Sequence, residues 1–175
     1  MARAARRTVH VQIEPRFKNR ITAQALRAAA RAALAQQDAP APSALTLRIT
    51  DDAALRQLNR DFLGHDDVTD VLAFPSDEVE AGARYLGDVA IALPRAAAQA
   101  RTGGHPLKAE LQLLVVHGVL HLLGHDHARP RDRARMWTAQ AEILARLGAP
   151  ITGPASPDRP AAPPKTRSPR RATRR

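Results

Sequence analysis

The stretch His117-Gly118-Val119-Leu120-His121-Leu122-Leu123-Gly124-His125-Asp126-His127 decides how this chain is read. Pro106 suits the first turn of a helix, and the apolar residues after it predict a long helix reaching Leu123. His117 and His121 are four apart, so both rings leave one face about 6 Å apart in rise. That spacing lets two imidazoles converge on one ion at about 2.0–2.1 Å each. Gly124 can take positive φ, end the helix and turn the chain back. His127 then approaches the same ion from the side, and a water takes the fourth position. His125 is the other candidate third ligand. On a straight helix it lies about 12 Å from His117, so the three rings would form a ladder rather than a centre. The favoured ligand set is therefore His117, His121 and His127. His10, His65 and His105 are isolated and read as ordinary polar residues.

Outward from this stretch the chain alternates strands and helices. Residues 8–14 and 45–49 alternate apolar and polar, as strands do. An Ala-rich helix spans Arg20 to Gln37 and ends before Pro40 and Pro42. Asp51 or Asp52 caps a helix through Leu55, Leu58 and Phe62. Val68 to Phe74 and Tyr85 to Leu93 read as strands, the second with a bulge at Gly87, and residues 76–84 between them read as a loop. Pro94 opens a short helix through Ala100, and a last helix covers about Arg131 to Leu147. The expectation is one α+β domain with a small mixed sheet of about four strands and about five helices. Its metal site lies on a central helix and the following turn.

The chain has 175 residues and no cysteine. Cys-ligated zinc, disulfide scaffolds and thiol catalysis are excluded, so a metal must be held by His, Asp or Glu. The net charge is +10, and it sits on the ends. Residues 1–7 form a basic arm with Arg3, Arg6 and Arg7. Residues 152–175 carry six Arg and Lys165 against Asp158, among many prolines, and read as a disordered basic tail. Residues 8–151, the expected zinc-dependent domain, are nearly neutral. Basic ends either keep a chain soluble or meet a polyanion such as RNA. No apolar run reaches the ~18 residues of a membrane span, and the N-terminus lacks a secretory apolar core. Cytoplasmic placement with no membrane partner is the expectation.

The spacing HxxxHxxGxxH also matches metzincin peptidases, which carry Glu directly after the first His as general base. Here that position is Gly118, which cannot take a proton. The stretch 117–127 instead resembles the His-Gly-x-Leu-His-Leu-x-Gly-x-Asp-His signature of the YbeY family. Leu58-Asn59, Thr69-Asp70-Val71-Leu72-Ala73-Phe74-Pro75 and Leu86-Gly87-Asp88-Val89 resemble the family's other motifs in the same order. The resemblance covers most of residues 45–147.

It implies a small mixed sheet packed with helices and one Zn2+ on His117, His121 and His127. It implies a single-strand-selective endoribonuclease that matures ribosomal RNA, including the 3′ end of the small-subunit (16S) RNA, and serves ribosome quality control. RNA and the small ribosomal subunit are the implied partners. One departure is Leu63, where the family often carries an Arg important for activity. Arg60, one turn earlier, is either its substitute or a solvated helix residue.

Without a Glu at 118, the base is Asp126, another carboxylate brought in by the fold, or the 2′-hydroxyl route. Asp126 also reads as a residue that orients a ligand histidine. Asp70 and Asp88 read as turn or cap carboxylates, or as cleft residues. Met136 reads as core, or as a methionine beneath the metal. Trp137 reads as buried in the last helix, or as a stacking platform for a base. Two other functions fit the residues: a peptidase with its base outside the helix, and a non-catalytic ribosome-associated zinc protein.

Overall fold

The structure, a computed structural model, describes residues 6–149 and Ile151. Among these, β1 is Arg7–Ile13, α1 Ala23–Gln36, β2 Ser43–Thr50, α2 Asp52–Leu63 and β3 Val71–Pro75. Then come β4 Val79–Glu80, β5 Ala83–Ala92, α3 Leu93–Gly103, α4 Leu107–Leu122 and α5 Pro130–Arg146. Most of the basic arm and all of residues 152–175 lie outside the described residues, and with them the expected disordered tail.

The strands form one mixed sheet in the order β1-β2-β5-β3, with β4 paired to β5. β1, β2 and β5 run parallel, while β3 and β4 run antiparallel to β5. The sheet therefore has five strands where the sequence predicts about four. The additional strand is the two-residue β4, inside the segment read as a loop. It closes a hairpin through Ala81 and Gly82, both at positive φ, as a two-residue primed turn requires. Two residues are too few to reveal a period, and Ala-Gly is a weak turn signal. The bulge expected at Gly87 is present: Ala44 pairs Tyr85, and Leu45 already pairs Gly87.

Strand alternation sorts the core into two layers. Leu45, Leu47, Ile49, Val71, Val89 and Ile91 face one side, where they join residues of α1, α4 and α5. Leu72, Phe74, Ala90 and Ala92 face the other, under Leu55, Leu58 and Phe62 of α2. α4 is buried along its length, from Glu110 to Leu122. Its sequence is apolar all round, as a helix enclosed by a sheet and neighbouring helices must be. Two imidazoles on such a helix are held in the core. Among the described residues no helix is long and apolar enough to cross a membrane.

Candidate metal centre

α4 ends in a turn that places the third histidine. Gly124 has φ 91°, its N–H donates to the His121 carbonyl, and His125 N–H donates to the Leu120 carbonyl, both at 3.0 Å. This is a Schellman closure, and it reverses the chain over the last helical turn. Asp126 Oδ1 then accepts from the N–H groups of His127, at 2.7 Å, and Ala128, at 3.2 Å. The His127 carbonyl accepts from Arg133 Nε at 3.2 Å, which ties the turn to α5.

The structure brings His117, His121 and His127 together. One ring nitrogen from each lies within 4.8 Å of the others. All three are buried, at 1%, 6% and 8% exposure. His117 Nε2 and His121 Nε2 are 3.1 Å apart. Two nitrogens on one tetrahedral zinc at the usual bond length stand about 3.3 Å apart. Trp137, half-buried on α5, lies edge-on against the rings of His117 and His127, with centroids at 6.3 and 5.4 Å.

The outer nitrogens of two rings decide what the inner ones can do. His121 Nδ1 lies 3.0 Å from the His125 carbonyl oxygen, which only accepts, so Nδ1 carries the proton. His117 Nδ1 lies 3.0 Å from Gln140 Oε1, and the same assignment follows. Both Nε2 atoms then present lone pairs to each other across 3.1 Å. Lone pairs at that distance repel unless a cation lies between them, so the donor set fits a metal ion. It also has the carbonyl-to-imidazole support that metal-bound histidines normally have. The three histidines can hold a metal ion.

His125 does not join them; its Nε2 turns to Oε1 of Gln37, the residue that caps the C-terminal end of α1, at 2.7 Å. Burial, and then the charge of Arg135, hold its pKa below the ordinary value. Asp126 stands beside the centre, but its bonded oxygen serves the backbone and not a ring. Arg60 is not brought to the centre. It lies half-exposed on α2, across the sheet, beside Gln57, Asp61 and Asp66. Leu63 packs on the outer apolar layer.

Asp70 accepts from Gln99 Nε2 at 2.9 Å and Asp88 from the Tyr85 hydroxyl at 2.9 Å. Burial raises that tyrosine's pKa well above the ordinary value. Met136 is fully buried in the core. His105 is more than an ordinary polar residue: its Nε2 is 2.6 Å from Oε2 of buried Glu110. Gln140, the partner of His117, is not among the residues that the sequence singles out. Its only sequence signal is an amide within the apolar stripe Met136, Ala139, Ile143 and Leu144 of α5.

Position 118 admits no catalytic side chain. A Cβ there would meet Val89 Cγ1 at 2.4 Å, so the glutamate of a metzincin cannot be accommodated.

The family model for Endoribonuclease YbeY matches residues 6–148. The Endoribonuclease YbeY of Roseiflexus sp. (strain RS-1) is 40% identical over 150 residues, 81% of this chain and 94% of the relative. That of Chloroflexus aurantiacus (strain ATCC 29366 / DSM 635 / J-10-fl) is 45% identical over 148 residues, 79% of this chain and 96% of the relative. The solution structure of TM1509 from Thermotoga maritima shares the fold, with TM-score 0.53 and 19% identity over 87% of this chain and 99% of that one. Sequence identity along nearly the full length of these relatives, joined to a buried three-histidine centre behind a glycine, places the chain in the YbeY family of endoribonucleases.

Proposed function

We propose that this chain is a zinc-dependent endoribonuclease selective for single-stranded RNA. In this reading it matures ribosomal RNA at the 3′ end of the small-subunit RNA, takes part in ribosome quality control, and works in the cytoplasm. Residues 8–151 form the catalytic domain. The observation that carries the reading is the pair of Nε2 atoms of His117 and His121, 3.1 Å apart, each ring oriented from behind. His127 completes the ligand set.

A zinc ion held there supplies a Lewis acid beside the scissile phosphate and a nucleophilic water near neutral pH. The chain's own residues prepare that chemistry. Gln140 and the His125 carbonyl hold two rings in the tautomer that leaves Nε2 inward. Asp126 holds the turn that delivers His127. Trp137 packs edge-on against His117 and His127 and helps hold those rings in place. Gly118 keeps the helix close to β5, which removes the peptidase base and disfavours the peptidase reading.

The test is to assay zinc-loaded protein on single-stranded RNA and on casein, each with and without chelator, alongside His117→Ala. The reading expects chelator-sensitive RNA cleavage, intact casein, and loss of both zinc and cleavage in the variant. Zinc retention without RNA cleavage would instead support a non-catalytic ribosome-associated protein.

A further inference from the structure

A cavity of about 180 Å3 opens between the N-terminal ends of α1 and α4. Its apolar lining includes Ile21, Ala25 and Leu26. Arg20 and Lys108, both exposed, stand at it. Among the described residues neither cation has a carboxylate partner. Gln112 also lines the cavity. It is only 7% exposed, and its amide makes no hydrogen bond among the described residues. With its stem buried and its amide still open to the cavity's solvent, Gln112 can meet a ligand there without breaking a bond within the protein.

This cavity is separate from the metal centre. Lys108 and Gln112 share one face of α4, being four apart, and His117 and His121 share another. Gln112 precedes His117 by five residues, about 7.5 Å of rise.

We propose that this cavity is a nucleotide subsite. It takes one unstacked base of single-stranded RNA, with the adjoining phosphates on Arg20 and Lys108. The volume suits one heteroaromatic ring, since a cavity of roughly 150 Å3 accepts benzene. The Gln112 amide offers a donor and an acceptor together, which a base edge complements. Two uncompensated cations and the positive end of α1 suit phosphate. The subsite rests on the RNA reading above and extends it: the strand is gripped away from where it is cut.

The test uses the zinc-loaded full chain, isotope-labelled for nuclear magnetic resonance. Uridine and adenosine monophosphates and inorganic phosphate are titrated separately into the millimolar range. The Gln112 side-chain amide and the Ala25 amide are expected to shift saturably with the nucleotides, and the Gln112 amide to stay still with phosphate alone. In parallel, Gln112→Leu is expected to weaken binding of a short single-stranded oligouridylate about tenfold. Arg20→Glu with Lys108→Glu should flatten its salt slope by roughly 1.4, at about 0.7 per phosphate. No saturable shift at Gln112, or the same shift with phosphate alone, overturns the subsite even where wild-type protein cleaves RNA. Nucleotide shifts at Gln112 without any cleavage support the subsite and sink the ribonuclease reading instead.

Discussion

Gly118 packs directly on Val89: a Cβ on the glycine would stand 2.4 Å from Val89 Cγ1 and 3.0 Å from Cγ2. α4 approaches β5 so closely because residue 118 contributes no side chain. That approach sets the depth at which His117 enters the core. Val89 is fully buried and β-branched, so it has little freedom to yield.

Gly118→Ala is therefore expected to destabilise the fold by about 1–3 kcal/mol through overpacking. This outweighs the gain in helix propensity of roughly 1 kcal/mol. Thermal unfolding in excess zinc measures it. Adding Val89→Ala should recover part of the loss, so the two substitutions are non-additive. Additive losses would mean that the contact is not what excludes a side chain at 118.

Gln140 orients His117 of the candidate centre through the bond at Nδ1. Gln140→Leu keeps the volume and removes the acceptor from His117 Nδ1, leaving the tautomer unfixed. Zinc affinity is expected to fall about 10–100-fold, read by competition with a chromophoric chelator. Gln140→Glu restores an acceptor and should restore most of the affinity. A leucine variant that holds zinc as tightly as wild type would remove this bond from the account of the centre.

The parts of the centre legible in sequence are those encoded within one turn of chain. His117 and His121 follow from helical spacing, and His127 from the glycine that ends the helix. What was hidden depends on the fold. Gln140 lies 23 residues from His117 and meets it only because α5 packs on α4. The acceptor for His121 is a backbone carbonyl, which no residue type announces. Arg60 shows the same limit from the other side: its helix is readable, but the face of the sheet that the helix covers is set only by the packing of the assembled fold. β4 was hidden because two residues carry no period.

Asp51 caps α2, and its carboxylate gives the fold an acid-sensitive element. Its Oδ1 accepts from Ala54 N–H at 2.8 Å, and Oδ2 meets Arg16. The Ala54 bond first, and then Arg16, hold its pKa below the ordinary carboxylate value. A depressed folded pKa means that the contribution is complete above the unfolded value of about 3.9 and fades as pH falls through the folded one. Asp51→Ala is expected to cost about 1 kcal/mol at neutral pH. The gap to wild type in urea unfolding should narrow below about pH 4. A gap that stays constant down to about pH 2 would mean that the charge of Asp51 contributes nothing.

Asp126 is the residue whose two readings separate cleanly. Its Oδ1 accepts two backbone N–H groups in the turn that carries His127. A positioning role needs an oxygen acceptor there, and an amide oxygen suffices; a general base needs the carboxylate itself. Asp126→Asn is therefore expected to keep zinc affinity and to hold RNA cleavage within a few-fold of wild type. Asp126→Ala should loosen the turn, weaken zinc binding and cost about 1 kcal/mol of stability. A general base would behave otherwise: the asparagine variant would bind zinc normally yet lose roughly 10²–10⁴ in rate. Zinc titration and single-turnover cleavage on the same two proteins decide between them, because only the positioning role ties the loss of cleavage to the loss of metal.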